Sequence, residues 1–180
     1  FYLGIIDNQR IIDNGLANYP SPVQTSTPLK FYDPDLRGNS AQTWADPVDH
    51  EIIYALGFPQ DRLKYPNGAV SVGRVYSKLE AEKIIESLKL KNDPEGLIPY
   101  VHDIEFIANT TAIAGMSGGG VFNTNGQLLG IMVRATTLDS VPILRVVRLK
   151  YIKTKLLNFY QQLTITNQNK FRPFISGELN

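Results

Sequence analysis

The sequence predicts an all-β fold, and three observations carry that prediction. Asn125-Gly126 stands between the apolar runs 121–124 and 127–132. An Asn-Gly pair in that setting is a strong hairpin signal, because a type I′ turn needs φ > 0 at both central residues. Phe1 to Ile6 and Gln9 to Ile12 flank the polar pair Asp7-Asn8 and predict a second hairpin. Finally, 43% of the 180 residues are hydrophobic and only 19% are charged, with Tyr and Asn plentiful, a balance suited to a packed β-rich protein.

The remaining elements follow in chain order. After the first hairpin, Asn18 to Pro28 is rich in Pro, Ser and Thr and reads as loop. Leu29 to Tyr32 is a short strand, and Asp33 to Val48 is a polar connection holding Pro and Gly. Ser77-Lys78-Leu79-Glu80 is a capping-box signature. Leu79, Ile84, Ile85, Leu88 and Leu90 then recur at helical spacing, so the pattern predicts a helix from Leu79 to Lys91, stopped by Asn92-Asp93-Pro94-Glu95-Gly96. This helix reads as packing over a barrel. Pro142 to Val147 predicts a last strand, and Leu149, Ile152, Leu156, Leu157 and Tyr160 give a helical stripe behind it. The basic cluster Arg145, Arg148, Lys150, Lys153 and Lys155 reads as the solvated face of that helix. Thr164 to Asn180 reads as a loosely held tail.

Composition excludes several function classes. The net charge of +1 gives no electrostatic footprint for nucleic acid. There is no cysteine, hence no disulfide framework and no cysteine-based metal site. No metal or cofactor motif is present. No apolar run reaches the roughly 20 residues needed for a membrane span. Phe1 is not an initiator Met, so a processed chain or a fragment is expected.

The most informative stretch is Gly115-Met116-Ser117-Gly118-Gly119-Gly120. It embeds one serine among glycines, which tolerate φ > 0 and leave room for a substrate. A nucleophilic serine needs that exposure, and it needs backbone N–H groups aimed at the developing oxyanion. G-x-S-x-G also marks the α/β-hydrolases, but there the serine leads into a helix and the histidine follows it. Here a hairpin follows, and both histidines, His50 and His102, precede Ser117. A phosphate loop is set aside because no Lys follows the glycines. The bland alternative is a glycine-rich surface turn in an ordinary β-barrel interaction module.

With its flanks, this segment resembles the trypsin/chymotrypsin-like serine peptidases, especially bacterial ones of the HtrA and glutamyl-endopeptidase sort. Their nucleophile motif reads G-x-S-G-G-P; here Gly120 replaces the proline. Ile52 to Pro59 resembles the first strand of that family's C-terminal barrel, Gly68 to Val75 the next, and Ile104 to Thr111 the strand entering the serine loop. The resemblance covers Ile52 to Ala135 and implies a chymotrypsin-like double β-barrel, all-β, whose first barrel is incomplete. The inserted helix and a C-terminal helix complete it. It implies three regions: 1–48, the remainder of an N-terminal barrel and the inter-barrel connection; 49–163, a C-terminal barrel with the serine loop and closing helix; 164–180, the tail.

The resemblance also implies a serine endopeptidase acting through an acyl-enzyme on Ser117, with a peptide or protein substrate and an extracytoplasmic (periplasmic or secreted) location. The backbone N–H groups of Gly115 and Ser117 would form the oxyanion hole. Thr111 would line one wall of the P1 pocket, and Val133, Arg134 and Ala135 the other. Thr111 and Arg134 together would favour an acidic P1 side chain.

The base is missing. The family order is His…Asp…Ser, and neither His50 nor His102 sits where the family puts its base; each reads as a surface or barrel-edge histidine. Phe1 to Ile12 resembles the strand pair that follows the catalytic histidine. The aspartate's place falls near Thr25 to Leu29, which holds no Asp; Asp13, Asp33 and Asp35 lie before and beyond it. Three accounts follow: a nucleophile half whose histidine comes from elsewhere, such as a second polypeptide; a pseudo-peptidase that binds peptides or a partner; or His50 as an unusual base.

Overall fold

Apolar residues alternate along the strands, and the alternation closes them into a ring. The computed structural model describes residues 44–169. Among the described residues six strands run β1 (Ile52–Gly57), β2 (Ala69–Val75), β3 (Glu105–Asn109), β4 (Gly120–Asn123), β5 (Leu128–Leu138) and β6 (Val141–Arg148). They form a closed barrel in the order β1-β2-β3-β6-β5-β4, with β4 returning to β1 and every pairing antiparallel. Closure leaves no unpaired sheet edge to template association. Helix α1 (Lys78–Leu90) and the short α2 (Pro94–Leu97) are inserted between β2 and β3, and α3 (Leu149–Gln162) follows β6. This is the all-β barrel expected, with its inserted helix and its C-terminal helix. The expected hairpin at residues 1–12, the short strand at 29–32 and the incomplete first barrel fall outside the described residues, as do Asp13, Asp33 and Asp35.

On β1, Ile53 and Ala55 point inward and are fully buried, while Ile52, Tyr54 and Leu56 face out. Period-2 patterning of this kind puts one face of a strand in the core. β3 differs: its residues Glu105 to Ala108 are all buried. Phe106 and Ala108 fill the barrel with Ile53, Leu129, Leu144 and Val146. Ile107 faces the other way and joins Ile143 of β6 and Ala81 of α1 in a second cluster. The inserted helix is thus required by the sheet: it keeps the outward apolar side chains of β3 and β6 from water. Ser77 caps it as a full capping box, its hydroxyl accepting from the Glu80 N–H while the Glu80 carboxylate accepts from the Ser77 N–H.

The basic cluster of the sequence is corrected by the same packing. Arg145 is 1% exposed and Arg148 9%; both lie on β6, not on the solvated face of α3. Arg145 donates through Nε and Nη2 to both oxygens of Glu105, at 2.9 and 2.5 Å. Its remaining N–H groups go to the carbonyls of Glu95, Ile98 and Pro99. All five guanidinium donors are filled, and they tie α2 and the segment after it to the barrel. Lys150 and Lys155 are exposed on α3, as expected.

Two turns also depart from expectation. Only Gly126 (φ +74°) has positive φ in the β4–β5 loop. Asn123 brackets that loop: its carbonyl accepts from the Gly126 N–H, its N–H donates to the Gln127 carbonyl, and its side-chain oxygen accepts from the N–H groups of Asn125 and Gln127. This is a three-residue loop closed by a left-handed glycine, not the two-residue type I′ turn. The two-residue turn with both φ positive is instead Asp139 (50°) and Ser140 (69°), joining β5 to β6. The start of the tail is fastened as well: residues 165–169 are helical, and the Gln168 side chain donates to the Tyr160 and Leu163 carbonyls at the end of α3.

Candidate active site

The loop between β3 and β4 carries Ser117, and its conformation is held from both sides. Met116 is buried in the barrel core and packs against Gly57. The Gly118 N–H donates to the Met132 carbonyl, and the Met132 N–H to the Gly119 carbonyl, both at 2.9 Å. On the other side the Gln60 N–H donates to the Ala114 carbonyl. Pinned on either flank, Ser117 is exposed between them.

Glycine is needed at position 115. Its φ is +97°, and a Cβ there would stand 2.4 Å from the Gln60 nitrogen. The consequence is chemical: among the described residues the N–H groups of Gly115 and Ser117 have no hydrogen-bond partner, and neither has the Ser117 hydroxyl. A pair of N–H groups left free beside an exposed hydroxyl is what stabilisation of an oxyanion requires.

Ser117 stands at the mouth of a cleft of about 300 Å³. Arg134 and Ala135, expected to line the P1 wall, do line it, with Met132 and Leu144. The opposite wall is Ala112, Ile113 and Ala114, which the sequence reading missed. Thr111 is not at the cleft; its carbonyl accepts from the Ser71 hydroxyl at 2.5 Å. Val133 is not there either. It is the extra residue of a β-bulge between Met132 and Arg134, and a bulge of this kind re-aims the side chain that follows it. Arg134 is itself engaged: its Nη1 lies 4.0 Å from Glu95 Oε1. The basis for an acidic P1 preference is therefore reduced to an arginine that already has a carboxylate.

Neither histidine is near the serine. His50 precedes β1, donates its N–H to the Val75 carbonyl and sets Nδ1 3.7 Å from Glu80 at the start of α1. Ser117 belongs to the other end of β1, where a Cβ on Gly119 would touch the Leu56 carbonyl. At about 3.3 Å per strand residue the two ends of β1 are too far apart for a hydrogen bond. His102 lies beside Arg148, whose Nε donates to the His102 carbonyl at 2.6 Å. Burial first, then the Arg148 guanidinium, lowers its pKa. Tyr100, 3.1 Å from its Nδ1, is pushed up to about 12, chiefly by burial. Among the described residues no group of three or more His, Asp or Glu is placed to hold a metal ion.

No family model matches the chain, and no curated protein matches it. Solved structures give a distant likeness: an inactive serine-to-alanine mutant of Rv3671c from M. tuberculosis H37Rv, 15% identical, with a TM-score of 0.43. The match covers 68% of this chain and 55% of that one, so the chain spans about half the length of that structure. Likeness of this degree decides neither fold nor activity, and the barrel rests on its own strand pairings.

Proposed function

We propose that this chain carries the nucleophile and oxyanion hole of a serine endopeptidase. The observation that supports it best is the pair of unpartnered N–H groups, Gly115 and Ser117, at an exposed serine on the lip of a cleft. In the reaction the Ser117 Oγ bonds to the substrate carbonyl carbon and its proton passes to a base. The two N–H groups take the negative charge of the tetrahedral oxygen. The C–N bond then breaks, the amine leaves with the proton, and water repeats the sequence on the acyl-enzyme.

The base is the open part of this reading. The chain has two histidines, and each is held by other partners away from Ser117. A histidine base would have to come from outside these 180 residues, a second polypeptide being one source. The same observation favours the second reading, a pseudo-peptidase that uses the cleft and the free N–H pair to bind a peptide carboxylate or a partner.

A fluorophosphonate probe followed by intact-mass measurement separates the two. Stoichiometric labelling that disappears in Ser117→Ala and persists in His50→Ala supports an assembled nucleophile. No labelling of a folded chain that still binds peptide, even with a co-purified histidine-bearing polypeptide present, supports the pseudo-enzyme.

A further inference from the structure

Arg134 and Arg145 are direct partners across β5 and β6, and one carboxylate lies between them. Glu95, on α2, sets Oε1 4.0 Å from Arg134 Nη1 and Oε2 3.8 Å from Arg145 Nη1. Arg145 has its own bidentate partner in Glu105 and every N–H filled. Glu95 Oε2 accepts no hydrogen bond and is buried. The other oxygen, Oε1, faces Arg134, the one charged side chain lining the cleft beside Ser117. A second carboxylate of the same turn, Asp93, is also turned toward β5 and accepts from the Thr136 hydroxyl at 2.9 Å.

We propose that Glu95 sets the charge selectivity of this cleft: by pairing with Arg134 it makes the cleft select an uncharged side chain. The proposal rests on the peptide-cleft reading above. Arg134 and Arg145 supply two positive charges, and Glu95 and Glu105 two negative ones, so these pairs balance, while Asp93 is taken up by the Thr136 hydroxyl. The rest of the lining, Ala112, Ile113, Ala114, Met132, Ala135 and Leu144, is apolar or small. A charged ligand side chain would be desolvated against that lining with no unpaired opposite charge to meet it. Glu95 does not line the cleft. It acts through Arg134, as a positioning residue.

The test measures binding rather than turnover, so it needs no base. N-acetylated tetrapeptides ending in Val, Glu or Lys are titrated against the full chain by NMR. The expected result is that the Val peptide binds about tenfold more tightly than either charged one. Glu95→Gln frees Arg134 and raises the Glu-to-Val affinity ratio about tenfold. Arg134→Gln frees Glu95 and raises the Lys-to-Val ratio instead, by a similar factor. Arg134 is half-exposed, so this second variant keeps the test available should Glu95→Gln fail to fold. The double variant returns both ratios to the starting values. Unchanged ratios in the folded variants, or both variants moving the same way, would overturn the proposal and leave the peptide cleft standing. Binding of no peptide to any variant overturns both, whereas fluorophosphonate labelling in the same samples reports on Ser117 separately.

Discussion

The serine loop and the seat of Arg145 treat backbone polar groups in opposite ways. At Arg145 three carbonyls and one carboxylate converge on one guanidinium, and every donor is used. At Ser117 the neighbouring amides are secured, Gly118 to Met132 and Gly119 to Met116, yet the N–H groups of Gly115 and Ser117 are left open. The first region is buried and its cost of desolvation is met by filled hydrogen bonds. The second is exposed, where open N–H groups lose nothing to water and remain ready for a ligand. The difference assigns the Arg145 seat to stability and the neighbouring serine loop to chemistry.

The largest expected effect breaks the filled side. Arg145→Ala leaves Glu105 as an uncompensated buried charge and strands the carbonyls of Glu95, Ile98 and Pro99. Removing one partner of a buried pair costs about 3–5 kcal/mol, so urea unfolding is expected to show a loss of that order. Replacing both partners, Arg145→Met with Glu105→Leu, is expected to cost less, because Glu105 no longer remains as a lone buried charge, while the stranded carbonyls still count against it. A loss below about 1 kcal/mol for Arg145→Ala would end the claim that this seat anchors the inserted helices.

How much of this was legible in the sequence follows the same division. Glycines advertise unusual backbone, so the exposed Ser117 and the need for Gly115 could be read from the residue types alone. The capping box at Ser77 and Glu80 was legible because its chemistry is local. The cleft walls were not: Ala112 to Ala114 reach it through the course of a loop, and the Val133 bulge displaces the strand register that sequence counting assumes. Arg145 was misread because a basic cluster looks the same whether solvated or buried. A signal did exist. Glu105 is the charge within Ile104-Glu105-Phe106-Ile107-Ala108, and Arg145 the charge within Ile143-Leu144-Arg145-Val146-Val147. A single opposite charge in each of two apolar strands suggests a buried pair. Turn type failed for a related reason: Asn125-Gly126 has the favoured residues, but the Asn123 side chain holds a longer loop, while the unmarked Asp139-Ser140 takes both left-handed positions.

A smaller effect sharpens the open side. Gly115→Ala puts a side chain at φ +97° and 2.4 Å from the Gln60 nitrogen. Backbone strain of this kind costs about 1–3 kcal/mol, read as a shift of the urea midpoint. The N–H of residue 115 is kept, but relieving the clash turns it out of line, so the rate of fluorophosphonate labelling at Ser117 is expected to fall, by at most the roughly 10²–10³ typical of losing one oxyanion-hole donor. If labelling survives while stability falls, the left-handed backbone at Gly115 is not what aims the hole, and the loop glycine serves folding alone.

The smallest effect returns to the filled side and concerns pH. His102 packs against Arg148 and Tyr100, and its folded-state pKa lies below the usual 6.5. Burial is the main cause, with Arg148 and Lys78 adding to it and Asp103 and Asp49 opposing it. Below pH 6.5 the unfolded chain therefore binds a proton at this residue that the folded chain refuses. Stability falls as pH drops through about 6.5 and levels off once the folded-state pKa is passed. Glu80 has the opposite chemistry: its pKa is lowered, first by the Ser77 hydrogen bonds, so its contribution is present above 4.5 and is lost only at lower pH. The two windows are separate. Urea midpoints at pH 7.5, 6.5 and 5.5 are expected to decline in the native chain and to decline less in His102→Gln. Equal slopes would mean that the Arg148–His102 contact is loose in solution, and that the filled region ends at Arg145.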